Sequence, residues 1–246
     1  MDDGSLRFHD ATLTHPGKVR SDNEDHVLAR PDQGLWAVAD GMGGHAHGKW
    51  SSKTITTALE AAVLPGEFEE AAAAAAAAVH QANERIWARS ASHPMGSTVV
   101  ALLLRGNRFA VFWAGDSRCY LLRAGTLYQL TVDHSQVQDM VTAGRLTPEE
   151  AENHPMAHVL SRAVGVSPTL ELDAVSDEAR VGDVFLLCSD GLTRTIPDAE
   201  LATVLARGNP AETADQLVAT CLDRGAPDNV SVVVVNCDET TLLALA

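Results

Sequence analysis

Between residues 97 and 130 four short apolar runs, 97–104, 108–114, 118–122 and 127–130, are separated by the dipeptides Gly106-Asn107, Gly115-Asp116 and Ala124-Gly125. Runs this short, broken by residues that supply tight turns, read as an antiparallel meander of strands. Further strands are predicted at 170–175 and at 35–39, 184–188 and 230–235, the last three apolar runs with Gly, Asp or Asn at or near their ends. Helical spacing appears at 51–64, closed by Pro65-Gly66, at 198–206 and at 211–224. The alanine-rich stretch 67–89 has acids in its first turn and Arg85 and Arg89 near its end, which favours a close-packed helix over a linker. Segment 133–165 is polar and irregular. Without a repeat or a Pro/Ser linker, the 246 residues read as one domain of sheets covered by helices.

Composition narrows the function classes. With 18 Lys+Arg against 33 Asp+Glu the formal charge is −15, which disfavours a nucleic-acid partner, because phosphate backbones need basic residues to release counterions. Neither the acidic start Met1-Asp2-Asp3 nor any apolar run matches a signal peptide or membrane span, so the chain is expected to be cytoplasmic, with no membrane partner. Four scattered cysteines, Cys119, Cys188, Cys221 and Cys237, without a Cys-x-x-Cys pair, fit buried thiols in a reducing compartment. No oligomerisation signal is evident, and a monomer is expected.

Three carboxylates sit at strand ends. Asp40-Gly41 follows the run 35–39, Asp190-Gly191 follows 184–188, and Asp228-Asn229 precedes 230–235. One Asp-Gly is ordinarily a turn. Three at strand ends suggest instead a cleft whose carboxylates stay ionised only under cations, and hard divalent ions take oxygen ligands. A competing pattern, Gly43-Gly44-His45-Ala46-His47-Gly48-Lys49, matches the phosphate-binding P-loop of a nucleotide hydrolase, but Trp50 stands where that loop needs a Ser or Thr hydroxyl. It also leaves Asp190 and Asp228 unexplained.

Seven segments in order carry a more specific signal. Arg20-Ser21-Asp22-Asn23-Glu24-Asp25, Val38-Ala39-Asp40-Gly41-Met42-Gly43-Gly44-His45, Gly96-Ser97-Thr98, Gly115-Asp116-Ser117-Arg118, Leu130-Thr131-Val132-Asp133-His134-Ser135, Ser189-Asp190-Gly191-Leu192 and Asp228-Asn229-Val230-Ser231 resemble the motifs of bacterial type 2C metal-dependent Ser/Thr protein phosphatases. They span residues from about 14 to 235. The resemblance implies an α+β fold, a four-layer α-β-β-α sandwich with two antiparallel sheets flanked by helices, and a flap subdomain at 133–165. It implies hydrolysis of phosphoserine and phosphothreonine through a dimetal-activated water, without a phosphoenzyme.

The cofactors implied are two Mn2+ or Mg2+ ions with a weaker third. Asp40 would bridge the pair, the Gly41 carbonyl would bind one ion, and Asp190 and Asp228 the other. Asp116, with Asp190, would form the third site; Glu24 and Asp25 would act through water, and Arg20 would grip the phosphate. Met42 stands where eukaryotic members carry a His proposed as general acid, which leaves His45 or water for that role. The flap departs from the bacterial pattern at His154-Pro155-Met156-Ala157-His158, and Lys49-Trp50 replaces residues that are usually acidic or small. His134 and His158 are candidate substrate contacts, more simply read as solvated loop residues. The partners implied are phosphoproteins, clients of a bacterial Ser/Thr kinase. A catalytically silent relative, acting as a binding or regulatory module, would be expected to have lost a metal Asp; Asp40, Asp190 and Asp228 are all present.

Overall fold

The computed structural model describes residues 6–44, 46–91, 93–152, 154–157 and 159–239. Eleven strands are present among them: β1 Leu6–His15, β2 Asp25–Arg30, β3 Leu35–Met42, β4 Gly96–Ser97, β5 Val99–Arg105, β6 Arg108–Ala114, β7 Arg118–Arg123, β8 Thr126–Gln129, β9 Asp173–Glu178, β10 Val184–Cys188 and β11 Val230–Glu239. One sheet runs β1-β11-β10-β7-β8 and the other β2-β3-β5-β6-β9, with β4 paired to β3. Every pairing is antiparallel. Helices α1 Ala46–Ala61 and α2 Phe68–Ser90 cover one outer face; α5 Asp190–Thr193, α6 Asp198–Leu205 and α7 Pro210–Asp223 cover the other. Helices α3 Gln136–Thr142 and α4 Pro148–Glu152 lie in segment 133–165.

The strands read as unbroken apolar runs because both their faces are buried. On β3, Leu35, Ala37 and Ala39 pack under α1 and α2, while Trp36 and Val38 face the opposite sheet. On β11, Val230, Val232 and Val234 face α6 and α7, and Val233 and Val235 fill the space between the sheets. Helix α2 packs closely because its buried stripe is mostly alanine: Ala71, Ala75, Ala78 and Ala82, with Val79 and Ile86. The expected four-layer α-β-β-α architecture is the one observed.

The expected meander is not a single one. Strands β5 and β6 form a hairpin, and so do β7 and β8, but β6 and β7 do not pair: at Gly115-Asp116-Ser117 the chain passes from one sheet to the other. The reason lies in burial. Strands β6 and β7 both present residues to the inter-sheet core, Val111 and Trp113 from one sheet and Cys119 and Leu121 from the other. Strands β1 and β2 carry no such apolar run, and sequence reading passes over them; β1 is an edge strand whose half-buried residues alternate with exposed ones. Strand β9 runs three residues later than the expected 170–175.

The P-loop reading fails on what Gly48 and Trp50 do. Helix α1 begins at Ala46, so Gly48 and Lys49 lie within its first turn. Gly48 is there for close packing: a Cβ on it would collide with the Glu24 carboxylate and stand 2.9 Å from the Gly41 carbonyl carbon. Trp50 packs against the helical core, with Arg89 above its ring at 4.5 Å.

Candidate active site

The polar ends of five strands meet at one edge of the sandwich. Antiparallel register sets Asp25, the first residue of β2, directly opposite Asp40 near the end of β3. The backbone of Asp40 is held on both sides: its N–H donates to Thr98 Oγ1 at 3.0 Å, and its carbonyl accepts from the Thr98 N–H at 2.8 Å and the Ser97 hydroxyl at 2.9 Å. From the other sheet, Ser189 at the end of β10 and Ser231 on β11 donate hydroxyl hydrogen bonds of 2.8 and 2.7 Å to Asp25 Oδ2. Asp25 therefore ties the two sheets together beneath the cleft.

Asp190 follows Ser189 into α5, and Asp228 immediately precedes Asn229 and β11. The Asn229 side chain accepts from the Glu24 N–H at 2.8 Å and donates to the Pro16 and Asp22 carbonyls at 3.0 and 2.9 Å, which fixes the loop that carries Arg20 and Glu24. Asp116 sits on the sheet-to-sheet crossing, beside Ser117, whose hydroxyl meets Thr98 Oγ1 at 2.7 Å. The resulting cleft of about 710 Å³ is lined by Arg20, Glu24, Asp40, Gly41, Asp116, Asp190, Arg194 and Asp228, with 159–163 and Val166 along one side. Of the residues expected in the site, Arg20, Glu24, Asp40, Gly41, Asp116, Asp190 and Asp228 line this cleft, and Asp25 lies beneath it.

Electrostatics decide what such a cleft can do. Burial, then repulsion from the neighbouring carboxylates, pushes Asp40 well above the usual range and Asp116 up to about 7. Burial likewise raises Asp25 to about 7, against the pull of its two serine donors. Two guanidinium groups supply part of the counter-charge. Arg20 forks onto Asp228, with Nε to Oδ1 and Nη2 to Oδ2 both at 2.9 Å, and that bond raises the arginine further. Arg194 pairs with Asp190 and reaches Asp228 Oδ2 at 3.4 Å.

Arg194 is the site residue that sequence reading misses. Its signal is the i,i+4 spacing from Asp190 in Asp190-Gly191-Leu192-Thr193-Arg194, which puts both on one face of a helical turn. His45 lies outside the described residues, as does His158. His134 is no solvated loop residue and lines no part of the cleft. It is buried, stacks on Trp113 at 6.0 Å, and accepts the Gly115 N–H on Nδ1 at 3.1 Å.

The donor set fits hard divalent ions. It consists of carboxylate and carbonyl oxygens, several of them buried together, and Asp25 Oδ1 is buried with no hydrogen bond among the described residues. No three His, Cys, Asp or Glu side chains among the described residues are already grouped as a metal site.

Comparison with known proteins carries the same reading. The sequence pattern of "Protein phosphatase 2C" matches residues 9–140, more than half of the chain. The chain belongs to the protein phosphatase 2C family. Among its family relatives, the serine/threonine protein phosphatase PstP of Mycobacterium tuberculosis is 42% identical over 238 residues, 94% of this chain and 45% of the relative. The chain thus spans about half the length of that curated relative. The serine/threonine phosphatase stp of Listeria monocytogenes is 34% identical and matched over 97% of its length and 95% of this chain. The catalytic domain of PstP solved with two manganese ions superposes with a TM-score of 0.85 at 39% identity, covering 96% of this chain and all of that one.

Proposed function

We propose that this protein is a metal-dependent protein phosphatase that hydrolyses phosphoserine and phosphothreonine. One observation carries the reading: carboxylates from both sheets converge, beside two arginines, in one cleft of a chain that carries the protein phosphatase 2C pattern. Asp40, the Gly41 carbonyl, Asp190 and Asp228 would hold two Mn2+ or Mg2+ ions, Asp116 a weaker third, with Glu24 and Asp25 acting through water. When bound, such ions make water nucleophilic near neutral pH and offset charge on a phosphoryl group in flight.

The chain's own residues do the rest. Asp25, clamped by Ser189 and Ser231, holds β2 against the far sheet and so keeps Asp40 in register. The planar fork of Arg20 matches two phosphate oxygens as well as it matches the two oxygens of Asp228. Among the described residues, the hydroxyls and the thiol nearest the cleft are not set up as nucleophiles. The Ser189 hydroxyl is committed to Asp25, that of Ser117 pairs with Thr98, and burial pushes the Cys188 thiol far above neutrality. These contacts support direct transfer to water, without a phosphoenzyme.

The expected setting is a single phosphatase domain working as a monomer in the cytoplasm on clients of a bacterial Ser/Thr kinase. Four free, buried cysteines support a reducing compartment, and no helix among the described residues is long and apolar enough to cross a membrane. The test is hydrolysis of p-nitrophenyl phosphate and of a phosphothreonine peptide with added Mn2+. Wild type should be active, and Asp40→Asn and Asp190→Asn should each lose at least a hundredfold. Activity that survives both substitutions would refute the reading.

A further inference from the structure

A second cavity, of about 410 Å³, opens beside the catalytic cleft and shares Met42, Gly43 and Val166 with it. Its other walls come from Trp87 on α2 and from Pro94 and Met95 before β4. Among the described residues no titratable side chain lines it, and the hydroxyl of Ser90 on its rim is already bonded to the Trp87 carbonyl at 2.8 Å. Trp87 is nevertheless 42% exposed and Val166 45%, large apolar surfaces left in water next to a cleft.

The cavity is preformed. Gly43 has φ +123°, and a Cβ there would stand 2.7 Å from the Pro94 carbonyl oxygen. A Cβ on the neighbouring Gly96 would stand 2.9 Å from both Met42 Cε and Val166 Cγ1. Backbone and side chains here are in contact, so the wall cannot close over Trp87 without displacing β3 or the base of segment 133–165.

Distance identifies the occupant. Met42 is two residues beyond Asp40 on β3, about 7 Å along the strand at roughly 3.3 Å per residue. An extended polypeptide advances by the same increment. Trp87 lines the same cavity as Met42, so a substrate strand running from Asp40 in the direction of β3 would bring a side chain two or three residues from the phosphorylated one into this cavity. We propose that this cavity is a specificity subsite for an apolar side chain of the substrate polypeptide, two or three residues from the phosphorylated one. The proposal rests on the phosphatase reading above.

Phosphothreonine peptides that differ only in Leu or Asp at single positions from −3 to +3 test it with Mn2+-loaded full chain. Wild type should favour Leu about tenfold in kcat/KM at a position two or three residues from the phosphothreonine, with KM carrying the difference. Trp87→Glu should bring that ratio to one or below, and Trp87→Phe should retain it. A wild type that hydrolyses p-nitrophenyl phosphate but treats all peptides alike overturns the subsite alone; one that hydrolyses neither overturns the phosphatase reading beneath it. A ratio that persists in Trp87→Glu, or a wild-type dimer that this change dissociates, also overturns the proposal, the latter by assigning the cavity to a second copy.

Discussion

Asp25 faces Asp40 across a strand pair and takes two serine hydroxyls from the opposite sheet. Its environment illustrates how residues at this site are spent on position as much as on chemistry. Gly41 is another case: a Cβ there would press on the Gly48 carbonyl and stand 2.7 Å from the Glu24 carbonyl oxygen, both of them backbone. Gly41→Ala should therefore cost about 1–3 kcal/mol in thermal or urea unfolding and reduce activity with it. Arg194 competes with any cation for Asp190 and Asp228. Arg194→Ala should bind Mn2+ several-fold more tightly by calorimetry, since it removes a positive charge from the same carboxylates. Weaker binding in that variant would mean that Arg194 instead holds the ligands in place.

At the scale of elements, the crossing from β6 to β7 matters most. It converts what looks like a hairpin turn into the support for Asp116, and it depends on His134, whose Nδ1 accepts the Gly115 N–H. Burial lowers His134 below its ordinary value of 6.5. The neutral ring is thus favoured by folding, and its contribution to stability is present above 6.5 and is lost as pH falls towards and through the depressed folded value. With Mn2+ present, hydrogen-exchange protection at Gly115 and across 133–165 should fall more than in the strands as pH drops below 6.5. His134→Phe keeps an aromatic face on Trp113 but leaves the Gly115 N–H unsatisfied, so it should cost about 1–3 kcal/mol and remove that pH response. Register is equally strict on β3, where a slip of one residue would turn Asp40 to the other face of the sheet.

The whole molecule gathers a net charge of −15 and concentrates part of it in one cleft. Asp25, Asp40 and Asp116 all titrate higher folded than the ordinary 3.8, two of them near 7. Over that interval the folded chain binds more protons than the unfolded one, so stability without divalent ions falls as pH rises. In chelator, the melting temperature should drop between about pH 5 and pH 8, and Mn2+ should restore it most at the higher pH. A flat profile in chelator would show that Arg20 and Arg194 already balance the cluster.

Local physics is what the sequence by itself determined: short apolar strands, an alanine helix tuned for close packing, glycines beside the acids, and the ordered motifs that carry the family resemblance. Asp40, Asp190 and Asp228 are legible because each ends or begins a strand and is followed by Gly or Asn. Segments 6–15 and 25–30 are not, since neither holds an unbroken apolar run, and β1 finds its partner only at the far end of the chain, Leu6 opposite Glu239. Arg194, the Gly115 crossing and the apolar cavity under Trp87 were likewise decided by tertiary structure. Each depends on how two sheets and their helices pack, and contacts such as Asp25 with Ser231, 206 residues apart, are set by that packing and not by any local preference of the chain.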